Sequence, residues 1–226
     1  NLFWEKNMNR RMFLKHSLSG LTLASIPTIN FFSTAYASDD KDKLPWNRET
    51  FKFPLGNFEL QSGEILNNAF LLVDVHGELN SSKSNAIIFA TCFAGSHNFN
   101  QMAYGIDRAL DPSKYCIITP NLMCSGHSSS PSNTASPQDG PRFPSVTYYD
   151  NINAQHKLIS EHFDINNPLM YIGFSMGAQQ AFHWGALHGD KTGGIVPLLG
   201  TAKTTTQNWI TLEGCKLALQ ADVNYN

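Results

Sequence analysis

The sequence lacks an excess of charge of either sign. Its 226 residues carry 16 lysines and arginines against 18 acidic residues, a formal net charge of −2. Proteins that bind nucleic acid usually present a basic surface, so we expect no nucleic-acid partner. Hydrophobic residues make up 42% and aromatic residues 12% of the chain, which is typical of one globular domain with a sizeable core.

Cysteine is also scarce, and its spacing does not match a metal motif. The four cysteines, at positions 92, 116, 124 and 215, form no C-x-x-C pair and no zinc pattern. Cys92 and Cys116 lie in or beside apolar runs, so buried free thiols are the favoured interpretation. Disulfides stay open as an alternative if the protein is exported. We predict no metal site and no cofactor.

The apolar stretch near the N-terminus is short and contains Pro27, which argues against a membrane-spanning helix. It fits an export signal instead. Residues 9–15 (NRRMFLK) match the twin-arginine pattern closely, residues 18–32 are mostly apolar, and residues 35–37 (AYA) resemble a cleavage site. We therefore expect residues 1–37 to be a twin-arginine signal with preceding residues, the twin-arginine translocation machinery to be a partner, and the protein to be periplasmic or secreted. A basic amphipathic N-terminus is the alternative.

Apolar runs and helical patterns alternate along the rest of the chain. After a linker over residues 38–57, the domain is expected to span residues 58–226. A hairpin followed by repeated strand–helix units predicts a mainly parallel sheet covered by helices, an α/β fold. The strands are predicted at residues 58–60, 70–75, 85–90, 115–119, 168–172 and 195–199, and the helices at 100–110, from an N-cap at Asp150, and at 176–188.

Residues 124–145 are rich in serine, proline and glycine. This composition is typical of a disordered linker. The segment nevertheless lies between a predicted buried strand and a predicted helix, where a long loop is more often functional.

Residues 173–177 (GFSMG) match the pattern G-x-S-x-G. In a nucleophile elbow, such glycines allow a strained strand-to-helix turn that exposes the serine oxygen. The apolar run before Ser175 and the helical pattern after it, with an apolar face of Ala178, Ala181, Phe182 and Leu187, agree with that turn. We predict that Ser175 is a nucleophile; a serine in an ordinary turn is the alternative.

An oxyanion hole at such a serine needs two backbone N–H groups. One is predicted at Met176, directly after the serine. The other is predicted at Phe93 or Ala94, in the loop after the third strand, where Gly95 permits a turn. Both Phe93 and Ala94 could equally be packing residues.

The base and acid that would activate Ser175 are missing from this sequence. In a nucleophile-elbow fold they follow the serine in the order acid, then histidine. The two later histidines, His183 and His188, lie in the helix after the serine and cannot reach back to it. The later acids have no histidine after them; they are Asp190, Glu213 and Asp222.

From about residue 58 onward, the chain resembles the homoserine O-acetyltransferase family of α/β-hydrolases. The resemblance rests on SGEIL, NAIIFATCFAGSHN, SSSPSNT, DGPRFPSVTYYDNINAQHKLI, GFSMGAQQAFHWGALH and GTAKTTTQNWITLEGCKLAL. It implies the α/β-hydrolase fold with helices on both faces of the sheet, Ser175 as nucleophile, and Met176 with the Phe93–Gly95 loop as oxyanion donors. It also implies a lid and the triad acid and histidine beyond residue 226, so we expect an incomplete domain, inactive as given.

The chain also departs from that family. The acetyltransferases usually have glycine where Phe174 stands and a second glycine at or beside Ala178, and their loop after the fourth strand differs from CSGHSSSPSN.

Export favours one activity among three. An acetyltransferase needs acetyl-CoA, which is a cytoplasmic metabolite, whereas an acyl-serine enzyme whose acceptor is water does not. We predict a serine hydrolase that acts on an ester or similar small acyl substrate through an acyl-enzyme. An acetyl-CoA-dependent homoserine acetyltransferase is the alternative, and a non-catalytic binding protein is the third option. Whether the protein forms a homodimer stays open.

Overall fold

The first two strands form the predicted hairpin, but the first is longer than expected. In the computed structural model, which describes residues 44–223, β1 spans Arg48–Glu59 and β2 spans Ile65–His76 in antiparallel pairing. The linker expected over residues 38–57 is therefore wrong for residues 48–57, which belong to β1. Pro54 and Gly56 lie where the pairing register shifts, and residues of these types obscure a strand in a sequence.

The remaining elements build the predicted α/β sheet. The strands are β3 (Ala86–Ala90), β4 (Cys116–Pro120), β5 (Met170–Phe174) and β6 (Ile195–Leu198), and the helices are α1 (His97–Asn100), α2 (Tyr148–Lys157), α3 (Met176–His188) and α4 (Thr206–Gln220). The strand order is β1-β2-β4-β3-β5-β6. β4, β3, β5 and β6 are parallel, and β2 is antiparallel to both of its neighbours. The predicted mainly parallel sheet is confirmed.

The sheet has a hydrophobic core on each face. Ile87 and Ile88 are neighbours in β3 but belong to different core clusters, because successive strand residues point to opposite faces. The larger cluster includes Trp184 of α3, whose ring stacks on Tyr171 of β5 at 4.9 Å between centroids. The apolar face predicted for α3 is only partly right, since Leu187 is 38% exposed.

The helix predicted over residues 100–110 is wrong. Only α1 and a 3-10 turn at Gln101–Ala103 form there. Asp107 has φ 61°, outside the helical region, and the Asp111 carboxylate accepts hydrogen bonds from the N–H groups of Asp107 and Ser113, both at 2.9 Å. Aspartate side chains that bond nearby backbone in this way compete with helix formation.

The helix predicted to be capped by Asp150 begins earlier. Thr147 is the N-cap of α2, and its hydroxyl accepts from the Asp150 N–H, while Asp150 bonds back to the Thr147 N–H at 2.7 Å. This reciprocal arrangement is a capping box with Asp150 at its third helical position. The other oxygen of Asp150 accepts from the Gln61 N–H at 2.6 Å, which fixes the start of α2 to the β1–β2 turn.

The serine-rich segment is an ordered loop that covers the part of β2 before Val73, where β2 does not pair with β4. The hydroxyls of Ser128 and Ser129 accept from the N–H groups of Leu72 and Phe70, each at 2.9 Å, and the Ser129 N–H donates to the Phe70 carbonyl at 3.1 Å. Serine side chains thus satisfy strand groups that would otherwise be buried without partners. The serines that make this segment look like a disordered linker therefore provide the hydroxyl groups that bond to β2.

Within residues 44–223 no helix is long and apolar enough to cross a bilayer. The predicted signal at residues 1–37 lies outside the described residues. Cys92 and Cys116 are buried free thiols, as predicted, and Cys124 and Cys215 are exposed free thiols.

Candidate active site

Ser175 lies at the junction between β5 and α3, as the GFSMG pattern predicts. Its backbone adopts φ 56° and ψ −115°, a region that residues other than glycine rarely occupy. Its N–H donates to the Leu198 carbonyl of β6 at 2.8 Å, and its carbonyl accepts from the Ala178 N–H at 2.9 Å. A strained serine held by the surrounding backbone is the geometry of a nucleophile elbow.

The glycines around Ser175 are required by close backbone contact. A Cβ on Gly173 would lie 1.8 Å from the Gly177 carbonyl oxygen, far inside any real contact. A Cβ on Gly200, after β6, would lie 2.6 Å from the Ser175 carbonyl oxygen. The turn can therefore form only where these positions carry no side chain.

The loop after β3 meets the start of α3. A Cβ on Gly177 would lie 3.0 Å from the Ala90 carbonyl oxygen and 3.3 Å from that of Thr91, so helix and loop backbones are in direct contact. The Gly95 N–H donates to the Cys92 carbonyl at 3.1 Å and closes a tight turn in which Ala94 has φ 54°. A positive φ at the third residue of such a turn is usual for glycine rather than alanine, so this loop holds a second strained residue.

Backbone donors are free on both sides of this contact. The N–H groups of Met176, Phe93 and Ala94 have no acceptor among residues 44–223. They are the groups that the sequence predicts for an oxyanion hole, with Phe93 and Ala94 as the two candidates for the second donor. Burial raises the pKa of the Cys92 thiol in the same loop, which disfavours the reactive thiolate.

No described histidine hydrogen-bonds to the Ser175 hydroxyl, and that hydroxyl has no partner within residues 44–223. The His183 ring stacks on Tyr148 at 5.2 Å, and the His188 ring stacks on His156 at 4.1 Å. Burial and the neighbouring His156 lower the pKa of His188 to about 4. Both histidines of α3 therefore pack against α2, in agreement with the prediction that they cannot reach back to Ser175.

A buried histidine–aspartate pair lies elsewhere in the sheet. His76 Nε2 is 2.8 Å from the Asp74 carboxylate, while its Nδ1 accepts from the Trp46 indole N–H at 2.9 Å. Both ring nitrogens are thus occupied, and the ring is 1% exposed. Burial opposes ionisation of Asp74, but hydrogen bonds from His76 and Thr50 outweigh it and lower the pKa of that carboxyl. The pair stabilises the contact of β1 with β2 and has no free nitrogen to act as a base.

One of the later acids is paired within its own helix. Glu213 forms an ion pair with Lys216 at 2.6 Å within α4. In the described part of the chain, no group of three histidine, cysteine or acidic side chains could hold a metal ion.

Sequence reasoning missed two buried side chains that join α2 and α3 to the loop after β3. Gln155 and Gln180 are fully buried and hydrogen-bonded to each other. The available signal was their position, since each polar side chain falls within the apolar stripe of its helix.

Comparisons with known proteins agree with this geometry. The family described as alpha/beta hydrolase fold matches residues 85–212. An ethyl acetate hydrolase of Pseudomonas veronii is 39% identical over 160 residues, covering 70% of this chain and 46% of that protein. A homoserine O-acetyltransferase of Zymomonas mobilis is 31% identical over 185 residues, covering 74% of this chain and 49% of that protein. The resemblance stated from the motifs is thereby confirmed, and the ester hydrolase matches at the higher identity.

A solved structure gives the same result. The crystal structure of an acetylester hydrolase from Corynebacterium glutamicum matches with a TM-score of 0.75 and 36% identity, covering 79% of this chain and 52% of that one. The chain spans about half the length of the curated relatives it matches.

Proposed function

The chain belongs to the α/β hydrolase fold family, and from that membership we propose that it acts as a serine hydrolase of small esters, with Ser175 as nucleophile. The observation that carries the proposal is the backbone of Ser175, strained at φ 56° and ψ −115° between β5 and α3. Strain of this kind persists only where the surrounding structure holds it, and it clusters at reactive groups. Relatives named as ethyl acetate and acetylester hydrolases support an acetate ester as the substrate.

The proposed reaction needs Ser175, its oxyanion donors and a base. A base takes the hydroxyl proton while Oγ attacks the ester carbonyl carbon, and the resulting oxyanion accepts hydrogen bonds from Met176 and from Phe93 or Ala94. Collapse of the intermediate breaks the bond to the alcohol, which leaves with that proton. Water then gives a proton to the same base while its oxygen attacks the acyl-serine, and the carboxylic acid is released as that proton returns to the serine Oγ. The expectation that the triad histidine and acid lie beyond residue 226 stays a prediction and is part of this proposal.

Apolar side chains near Ser175 suit a small uncharged ester. The Phe174 ring lies 6.4 Å from the Phe99 ring, and Phe93 is 75% exposed beside the candidate oxyanion groups. Such surfaces bind apolar substrate groups by removing them from water. Phe174 also occupies the position that is glycine in the acetyltransferases.

The acyl acceptor distinguishes the two enzyme functions. We expect the intact protein to hydrolyse simple aryl acetates without acetyl-CoA, because water completes the cycle. The same preparation should transfer acetyl from acetyl-CoA to homoserine negligibly; release of the aryl alcohol and formation of O-acetylhomoserine are measured in parallel. Efficient transfer with negligible ester hydrolysis would establish the acetyltransferase instead. Neither reaction, with tight binding of an ester, would favour a binding protein.

We also propose that the protein is exported through the twin-arginine route, because Arg10 and Arg11 are followed by an apolar stretch. Residues 1–37 fused to a reporter that folds before transport should deliver it to the periplasm. Replacing both arginines by lysine should abolish delivery, whereas Lys6→Arg, outside the motif, should leave it unchanged. Export that survives the double replacement would overturn the assignment.

A further inference from the structure

A series of hydrogen bonds between buried side chains connects α3, the helix after Ser175, to the loop after β3. The Tyr171 hydroxyl donates to Gln155 Oε1 at 2.6 Å, Gln155 Nε2 donates to Gln180 Oε1 at 3.0 Å, and Gln180 Nε2 donates to the Thr91 carbonyl at 2.8 Å. All three side chains are fully buried. These hydrogen bonds therefore link β5 to α2, α2 to α3, and α3 to the first residue of the loop.

The direction of these hydrogen bonds is fixed by their last acceptor. The Thr91 carbonyl can only accept, so Gln180 must present its amide N–H to it and its oxygen to Gln155. Gln155 must then accept from Tyr171. Each amide therefore has a single orientation. Removing any one of these side chains leaves a buried polar group without a hydrogen-bond partner, which proteins tolerate poorly.

Thr91 is held by few other groups. Its hydroxyl is buried without a hydrogen-bond partner among the described residues. Asn100 donates to the carbonyls of Phe89 and Ala90 at 3.0 and 3.2 Å, which secures the end of β3 but not the loop. On the other side, a Cβ on Gly177 would lie 3.3 Å from the Thr91 carbonyl oxygen, so α3 passes close to the loop. The Gln180 amide is therefore the polar contact that ties the loop to α3.

We propose that Gln180 is a positioning residue, which holds the loop of residues 91–95 against α3 so that the N–H groups of Met176 and of Phe93 or Ala94 converge on one oxyanion. The inference rests on the proposed ester hydrolysis. Gln180 touches neither substrate nor Ser175 in this role; it acts through the Thr91 carbonyl. Oxyanion donors work only when they are placed before the reaction, and a displacement of about 1 Å can cost about 100-fold in rate.

The first test replaces Gln180 by methionine, which keeps the volume and removes the donor. We expect the kcat of the intact protein on an aryl acetate to fall by about 10- to 100-fold, with KM within about threefold, because the loss is confined to the transition state. The control is Gln179→Met, the same change on the next residue, whose amide accepts from the Tyr148 hydroxyl outside this chain of bonds. Wild-type kcat in Gln180→Met would overturn the proposal.

A second variant, Gln180→Glu, gives a pH signature that lost packing would not. The ionised carboxylate cannot donate to the Thr91 carbonyl, whereas the protonated acid can. The ratio of variant to wild-type kcat should therefore rise as pH falls through the pKa of the new carboxyl, which burial raises. A ratio independent of pH contradicts the proposal.

Hydrogen exchange separates this inference from the proposed function. Amide exchange of Gly95, whose N–H is hydrogen-bonded to the Cys92 carbonyl within this loop, should quicken about 10-fold in Gln180→Met and stay unchanged in Gln179→Met. If exchange quickens in the variant but the intact protein hydrolyses no ester, the proposed function is refuted and the anchoring of the loop by Gln180 is retained. Unchanged exchange refutes the anchoring. If Gln180→Met does not fold, Gln180→Glu above the pKa of its new carboxyl removes the same donor to the Thr91 carbonyl, and unchanged kcat and exchange in that variant overturn the inference.

Discussion

Ester hydrolysis by the intact protein is expected to fall by about 10⁶-fold in kcat when Ser175 is replaced by alanine. The acyl-enzyme cannot form without the Oγ atom, and the free N–H groups of Met176 and the loop after β3 leave only the residual catalysis that oxyanion binding provides. KM should change little, because the hydroxyl contributes little to ground-state binding.

The control for that variant is Ser132→Ala. Ser132 is an exposed serine in the loop after β4, and it lies far from the β5–α3 turn in the sequence. Turnover of Ser132→Ala should equal that of the wild type. A Ser175→Ala protein that retains more than about one hundredth of wild-type kcat would exclude Ser175 as the nucleophile.

The Gly173→Ala variant is expected to lose more than about 4 kcal/mol of stability, beyond the usual range for one substitution. The added Cβ would meet the Gly177 carbonyl oxygen at 1.8 Å, and only movement of the backbone of the turn can relieve that contact. Since the free energy of unfolding of a domain is only about 5 to 15 kcal/mol, much of the variant should be unfolded. Denaturant midpoints measure the effect.

Two further glycines make a graded series with Gly173. A Cβ on Gly177 would approach the Ala90 carbonyl oxygen at 3.0 Å, so Gly177→Ala should cost about 1 to 3 kcal/mol, as ordinary overpacking does. Gly189, at the end of α3, has φ −64° and open space around it, so Gly189→Ala should change stability by less than about 1 kcal/mol. Equal effects at Gly173 and Gly189 would contradict the described turn.

The order of the elements could be predicted from the sequence because the sheet strands are apolar runs bounded by turns. The predicted strand over residues 85–90 and the helix over 176–188 agree with β3 and α3 to within one residue. The nucleophile turn was predictable for a different reason. Its conformation depends on local contacts between Gly173 and Gly177, and both lie within the motif itself.

The errors in the sequence-based prediction arise where distant contacts decide the structure. The residues of the serine-rich loop are ordered by N–H groups of β2, which precede them by more than fifty positions, as with Ser129 and Phe70. The missed strand at residues 48–57 is stabilised by pairing with β2 despite its proline and glycine. The strand and loop propensities of the residues themselves do not report either of these long-range contacts.

The candidate site was predictable only in part for the same reason. Met176 and the loop of residues 91–96 follow from the known order of such elbows, but the choice between Phe93 and Ala94 depends on geometry that no motif specifies. Gln180 is a further example, because its role depends on Gln155 and on Thr91, 89 positions away. The position of each glutamine in the apolar stripe of its helix is a signal of burial, but the periodicity does not identify its hydrogen-bond partners.

The measurement that tests the account most directly is the mass of the intact protein quenched during turnover of an aryl acetate. A serine hydrolase that acts through an acyl-enzyme should carry one added acetyl group, and peptide mapping should place it on Ser175. The Ser175→Ala variant should carry none, and Ser132→Ala should match the wild type. An acetyl group on another residue, or rapid turnover with Ser175 never modified, would contradict the central claim that Ser175 is the nucleophile.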